Sequence, residues 1–154
     1  FKDKRGFLRE LYRENLLSKK FIFEIISYSR KNVVRGLHLQ TKNSQGKYVT
    51  VLKGKAFDVA VDLRKGSKTF GQYVSTILSG KQNVSFYIPE GFAHGFQVLS
   101  ESADFVYKCT DFYHKDDQHG IRWDDKSLKI NWPIKEPILS KKDAILPLIK
   151  DIKI

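Results

Sequence analysis

Val34-Arg35-Gly36-Leu37-His38-Leu39-Gln40 sets one histidine in a short, mostly apolar run. A second run, Ile88-Pro89-Glu90-Gly91-Phe92-Ala93-His94-Gly95-Phe96, answers it further along the chain. Side chains alternate across a strand with period 2, so Leu37 and Leu39 turn to one side and His38 and Gln40 to the other. A histidine and an amide on one strand face need polar company. The rest of the sequence supplies it.

The neighbouring segments read as strands. Lys47 to Leu52 is one, followed by a turn at Lys53-Gly54-Lys55. Ala56 to Leu63 alternates, with Phe57, Val59, Val61 and Leu63 facing one way and Asp58, Ala60 and Asp62 the other. Tyr73–Leu78, Ser85–Ile88, Gly95–Leu99 and Ala103–Thr110 are further short strands, separated by turns at Lys65-Gly66-Ser67, Ser79-Gly80-Lys81 and Pro89-Glu90-Gly91. Before them, Phe7–Tyr12 reads as a strand, Asn15–Lys20 as a short helix and Phe21–Tyr28 as a buried strand rich in aromatic and β-branched residues. After them, Ser140 precedes Lys141-Lys142-Asp143-Ala144 as the cap of a short helix. Short, evenly spaced strands with Gly-bearing turns predict an all-β sandwich or barrel with short C-terminal helical segments.

The 154 residues predict one domain, and 41% hydrophobic residues give it a sizeable core. The net charge of +11 favours an anionic partner. The lysines are scattered, and no nucleic-acid-binding motif is legible, so a nucleic-acid partner is not expected. A single cysteine, Cys109, excludes an internal disulfide and fits a reducing, cytoplasmic setting. No apolar run approaches the ~18 residues of a membrane span. The chain opens at Phe1 and contains no methionine, so an N-terminal segment is expected ahead of it.

His38 and His94 are two candidate metal ligands where zinc usually takes at least three, and Gln40 stands where a His-x-His pair would continue. No metal is therefore expected. Arg35 and Lys47 would make a pocket shared with His38 strongly cationic, suited to a pyrophosphate or a developing enolate oxygen. Tyr107 shares parity with Phe105 and Cys109, so it reads as core first and as a general acid second.

These residues fall in motifs that resemble the dTDP-4-dehydrorhamnose 3,5-epimerase family. The motifs are Asp3-x-Arg5-Gly6-Phe7, Arg35-Gly36-Leu37-His38-x-Gln40, Gln45-Gly46-Lys47, Phe57 through Arg64, Ser67-x-Thr69-Phe70-Gly71, Ile88 through Phe96, Tyr107-Lys108, Gly120-Ile121-x-Trp123-x-Asp125, Trp132-Pro133 and Leu139-Ser140-x-Lys142-Asp143. One alone is weak, but this many in order are specific. The resemblance implies a metal-free, cofactor-free cupin-type jelly-roll barrel. It also implies a homodimer whose N-terminal strands cross between subunits, acting on a dTDP-linked 4-keto-6-deoxyhexose.

By motif position, the resemblance makes His38 the base, Asp143 its partner, Tyr107 the acid and Lys47 the group at the enolate oxygen. Arg35 and His94 would face phosphates and sugar, with Arg5, Glu10 and Tyr113 around the nucleotide. The chain departs from the family pattern at Leu8, and at Phe23 and Ile25, where a Gln-x-Asn pair is usual. Those departures keep three other readings open: a mono-epimerase, a ketoisomerase on another nucleotide-linked 4-keto sugar, and a non-catalytic sugar-nucleotide-binding barrel.

Overall fold

In the computed structural model, which describes residues 1–154, eleven strands carry the architecture. They are β1 (Lys2–Asp3), β2 (Gly6–Phe7), β3 (Phe23–Arg30), β4 (Val34–Gln40), β5 (Lys47–Lys53), β6 (Lys55–Asp62), β7 (Tyr73–Ser79), β8 (Ser85–Ile88), β9 (Phe92–Val98), β10 (Ser102–Cys109) and β11 (Gln118–Gly120). Beyond the small β1–β2 hairpin they form two antiparallel sheets, ordered β3-β10-β5-β8 and β11-β4-β9-β6-β7. The two sheets close face to face as a jelly roll. One short helix, α1 (Lys141–Ala144), follows near the C-terminus. No helix is long and apolar enough to cross a membrane.

Two apolar layers hold the fold. The first lies between the sheets and draws Val49 and Val51, Ala60, Phe96, and Phe105 with Tyr107 from both of them. Its centre is a stack of Phe96 on Phe105, ring centroids 4.0 Å apart. The second covers the outer face of the five-stranded sheet, where Leu37, Leu39, Val59 and Val61 meet Ile121 and Trp132, and the C-terminal Ile149, Ile152 and Ile154 close over them. β6 is therefore buried on both faces. Its alternation follows the sequence pattern, yet the face carrying Asp58 and Ala60 turns into the barrel and not to solvent.

Gly36 makes β4 serve both layers. The β4–β9 register shifts between Arg35 and His38. In a regular strand, residues three apart point to opposite faces. After the shift, Arg35 and His38 both line the interior while Leu37 and Leu39 stay in the outer layer. Gly36 sits at φ +112°, and a Cβ there would lie 2.6 Å from the His94 carbonyl oxygen and 2.7 Å from the Gly95 Cα.

Three expected elements take a different form. The Phe7–Tyr12 strand shrinks to Gly6–Phe7, because the chain then leaves the hairpin and Arg9 donates to the carbonyls of Gly80, Gln82 and Val51. The Asn15–Lys20 helix is a single 3₁₀ turn over Glu14–Leu16. The segment read as a buried strand is the edge strand β3, paired with β10 alone. Its outward residues Ile26 and Tyr28 are 68% and 60% exposed, because nothing in the chain covers that face.

Gly36→Ala should destabilise the fold by about 2 kcal/mol or more, since a non-glycine residue in that backbone region is strained and its Cβ meets backbone atoms. Urea denaturation of the variant against the native chain measures this. An unchanged midpoint would mean that the register shift does not need glycine.

Candidate active site

The interior opens at one end of the barrel into a cavity of about 460 Å³. The two sheets supply opposite walls. From the five-stranded sheet come Arg35, His38 and His94. From the four-stranded sheet come Lys47, Tyr107 and Cys109. Tyr113 and Asp143 reach in from the segments that follow. Seven of the nine residues singled out in the sequence therefore meet in one place. Arg5 and Glu10 do not line this cavity. Arg5 is bound to Asp3 at 2.6 Å within the exposed β1–β2 hairpin, and Glu10 pairs with Arg13.

The His38–Asp143 pair is the best-defined element. His38 Nε2 and Asp143 Oδ1 lie 2.6 Å apart, with the carboxylate buried and the imidazole partly open to the cavity. Ser140 caps α1 by accepting the Asp143 backbone N–H at 3.0 Å, and the Gly36 N–H points at Asp143 Oδ2 from 3.5 Å. The expected helix cap is thus present, and the same residue turns its carboxylate onto the histidine. Burial pushes the Asp143 carboxyl upward, but His38, the Gly36 amide and Ser140 outweigh it and hold it below the usual carboxylate range.

A second pair escaped the sequence reading. His94 Nε2 lies 2.8 Å from Asp58 Oδ1, and both side chains are buried. Alternation placed Asp58 on a polar face, but nothing in the sequence marked that face as the barrel interior. Burial raises the Asp58 carboxyl, against the pull of His94. Its second oxygen, Oδ2, has no hydrogen-bond partner. Lys47 extends into the same interior from the opposite sheet. Burial lowers its ammonium, with Cys109 and Asp58 opposing that shift. Cys109, directly opposite Lys47 in the β10–β5 register, is pushed up to about 11 by burial and so stays a neutral thiol.

Tyr107 lines the wall opposite the one that carries His38, its ring edge-on to His94 with centroids 6.1 Å apart. Its hydroxyl lies 3.2 Å from Ser27 Oγ, and burial raises the phenol well above its ordinary range. It is a core residue and a cavity residue at once, as its parity and its position separately suggested. Arg35 is aimed by Ser29, whose Oγ accepts its Nε–H at 2.9 Å. Tyr113 donates to Gln118 Oε1 at 3.1 Å, and Lys142 donates to the same oxygen at 2.5 Å. Lys142 lines the cavity beside Asp143, and its place in the Leu139-Ser140-x-Lys142-Asp143 motif was the signal that would have found it. Ser27, Ser29 and Gln118 carried no such signal. No group of three or more His, Cys, Asp or Glu side chains is gathered as a metal site.

A cation-lined cavity with a histidine–carboxylate pair on one wall and a phenol on the other defines a class. Built in a jelly-roll barrel, such an arrangement is chemically able to move protons on an anionic molecule. Comparison with known proteins identifies the branch. Residues 1–151 match the family described as dTDP-4-dehydrorhamnose 3,5-epimerase. The chain is 48% identical to the enzyme of that name from Salmonella typhimurium, over 97% of this chain and 86% of the relative. It is also 48% identical to the one from Neisseria gonorrhoeae, over 93% of this chain but only 45% of that longer protein. Among solved structures, the dTDP-6-deoxy-D-glucose-3,5-epimerase of Legionella pneumophila, in complex with dTDP-4-keto-L-rhamnose, superposes with a TM-score of 0.95 at 49% identity, covering 99% of this chain and 85% of that one. The chain belongs to the dTDP-4-dehydrorhamnose 3,5-epimerase family, a family of isomerases.

Because the Asp143 carboxyl is held below its unfolded value, the His38–Asp143 pair stabilises the fold above about pH 4 and loses that contribution as pH falls through the folded pKa. Asp143→Asn should therefore lower stability more at pH 7 than at pH 3, read as the gap between urea midpoints of variant and native chain. An equal gap at both pH values would mean that the charge on Asp143 is not coupled to folding.

Proposed function

We propose that this chain epimerises a dTDP-linked 4-keto-6-deoxyhexose at the carbons flanking the ketone, by deprotonation and reprotonation. The observation that carries the reading is the placement of His38 and Tyr107 on facing sheets, with Lys47 beside Tyr107's strand. Inversion at carbon requires a proton to leave one face and a proton to arrive at the other. Asp143 holds Nε2 of His38, so Nδ1 is the nitrogen left to take the proton as general base. The resulting carbanion is delocalised onto the C4 oxygen as an enolate. Lys47, a cation without a hydrogen-bond partner of its own, stabilises that oxygen. Tyr107 delivers a proton from the opposite wall and is left as phenolate, while His38 is left protonated. Exchange with water resets both, so solvent hydrogen enters the product.

Arg35 and Lys142 supply the charge for the diphosphate, in keeping with a chain of net charge +11. His94, fixed by Asp58, faces the sugar, and Tyr113 lies at the nucleotide end. Arg5 and Glu10 belong to the nucleotide site of a second copy in a homodimer. Two observations support that arrangement. The hairpin that carries Arg5 stands away from its own cavity, and the outer face of β3 is uncovered in the single chain. The single thiol fits action in the reducing cytoplasm.

Proton NMR with dTDP-4-keto-6-deoxyglucose in heavy water should show loss of the signals at C3 and C5. His38→Asn should slow that loss by roughly 10²–10⁴-fold. Tyr107→Phe should still wash out substrate protons while failing to accumulate inverted product. Loss at one carbon would assign mono-epimerisation, and no exchange by the native protein would overturn the catalytic reading.

A further inference from the structure

The interior face of β3 changes character along its length. Its inward side chains are, in order, Phe23, Ile25, Ser27 and Ser29. The two serines are occupied, Ser27 by the Tyr107 hydroxyl and Ser29 by the Arg35 guanidinium. Phe23 packs against the interior cluster and against Phe112, with ring centroids 5.9 Å apart. Ile25 has no comparable engagement. It lines the cavity and is 42% exposed. An aliphatic side chain held open at the wall of a cationic pocket requires a hydrocarbon partner or leaves apolar surface in water.

Its register says which part of the ligand that partner is. Ile25 stands directly opposite Tyr107 in the β10–β3 ladder. Residues so paired have Cβ atoms about 4.5–5.5 Å apart. A phenol that reprotonates C5 must approach that carbon to about 3–3.5 Å. The Tyr107 hydroxyl sits at Ser27 and the base of its ring at Ile25, the next inward residue of β3, so a C6 substituent bonded to C5 runs along the phenol ring on the side that Ile25 walls. A methyl there gains apolar contact. A hydroxyl there gives up water and finds no hydrogen-bonding group on Ile25 or Phe23 to replace it.

Resting on the nucleotide-sugar reading above, we propose that Ile25 is a specificity-determining residue that reads the C6 substituent and selects a methyl over a hydroxymethyl group. The position is suited to this task. β3 is an edge strand, and a half-exposed residue on it can change without disturbing the core.

Calorimetric titration with dTDP-6-deoxyglucose and dTDP-glucose tests the inference. The two ligands differ only in the C6 hydroxyl, and neither carries the ketone needed for turnover. The native protein should prefer the 6-deoxy compound by roughly ten- to a hundredfold. Ile25→Asn should bring the two affinities to within about twofold by offering the hydroxyl a partner, and Ile25→Val should keep the preference. Thermal melts confirm that the variants fold. Equal affinities in the native protein, or a preference untouched in Ile25→Asn, overturn the proposal. Titration with dTDP alone separates the two levels: if dTDP binds and the C6 preference is absent, only the role of Ile25 falls. If neither dTDP nor either sugar nucleotide binds, the nucleotide-sugar reading falls with it.

Discussion

The Asp143 carboxylate, buried against His38, ties the short helix α1 to strand β4 of the five-stranded sheet. Much of the molecule converges on that contact. α1 is only four residues long and cannot stand by its own propensity. It is held by the Ser140 cap, by the His38 pair and by the tail beyond it. The Arg122 N–H donates to the Pro147 carbonyl, and Asp125 accepts the Ile149 N–H at 2.7 Å. The isoleucines of that tail then close the outer apolar layer over Leu37 and Leu39. The side chains that flank His38 in sequence thus anchor the segment that returns Asp143 to it.

The barrel interior handles its other charges unevenly. A buried ion is tolerated when it is paired and hydrogen-bonded, and is costly when it is not. Asp143 meets that condition fully. Asp58 meets it with one oxygen, through His94, and leaves the other unsatisfied. Lys47 has only the longer-range field of Asp58 and the thiol of Cys109 beside it. A cation without a local anion, next to a carboxylate with a spare oxygen, is an interior that has not settled its electrostatics within the protein. That imbalance is the electrostatic basis for proposing an anionic, enolising ligand.

What the sequence made legible follows from which signals are local. Alternation around His38 and along Ala56–Leu63 placed the right residues on common faces, because a strand's two-residue period is set by its own backbone. The same alternation could not say which face was the barrel interior, so Asp58 passed unnoticed beside Ala60. Nor could it foresee the register shift at Gly36. A strict period would have put Arg35 with Leu37 and Leu39 on the outer layer, away from the site. That Arg35 joins His38 depends on the close approach of β9, a contact between residues about sixty positions apart in the chain. Phe21–Tyr28 shows the converse case. Its composition is that of a core strand, and only the sheet order reveals an edge.

The division of labour between the strands follows from the same geometry. His38, Lys47, His94 and Tyr107 sit on strands with neighbours on both sides, where a change of residue disturbs two ladders and a packed layer. Two of the three departures from the family pattern, Phe23 and Ile25, fall on an edge strand with one neighbour and one packed face. Proton transfer needs atoms held to within a fraction of an ångström, and that precision comes from interior strands. Discrimination among similar sugars needs only that a wall be apolar or polar at the right place. An edge strand supplies such a wall at small structural cost, so a chain of this architecture can alter what it accepts while leaving His38, Tyr107 and Lys47, the proposed base, acid and cation, where they are.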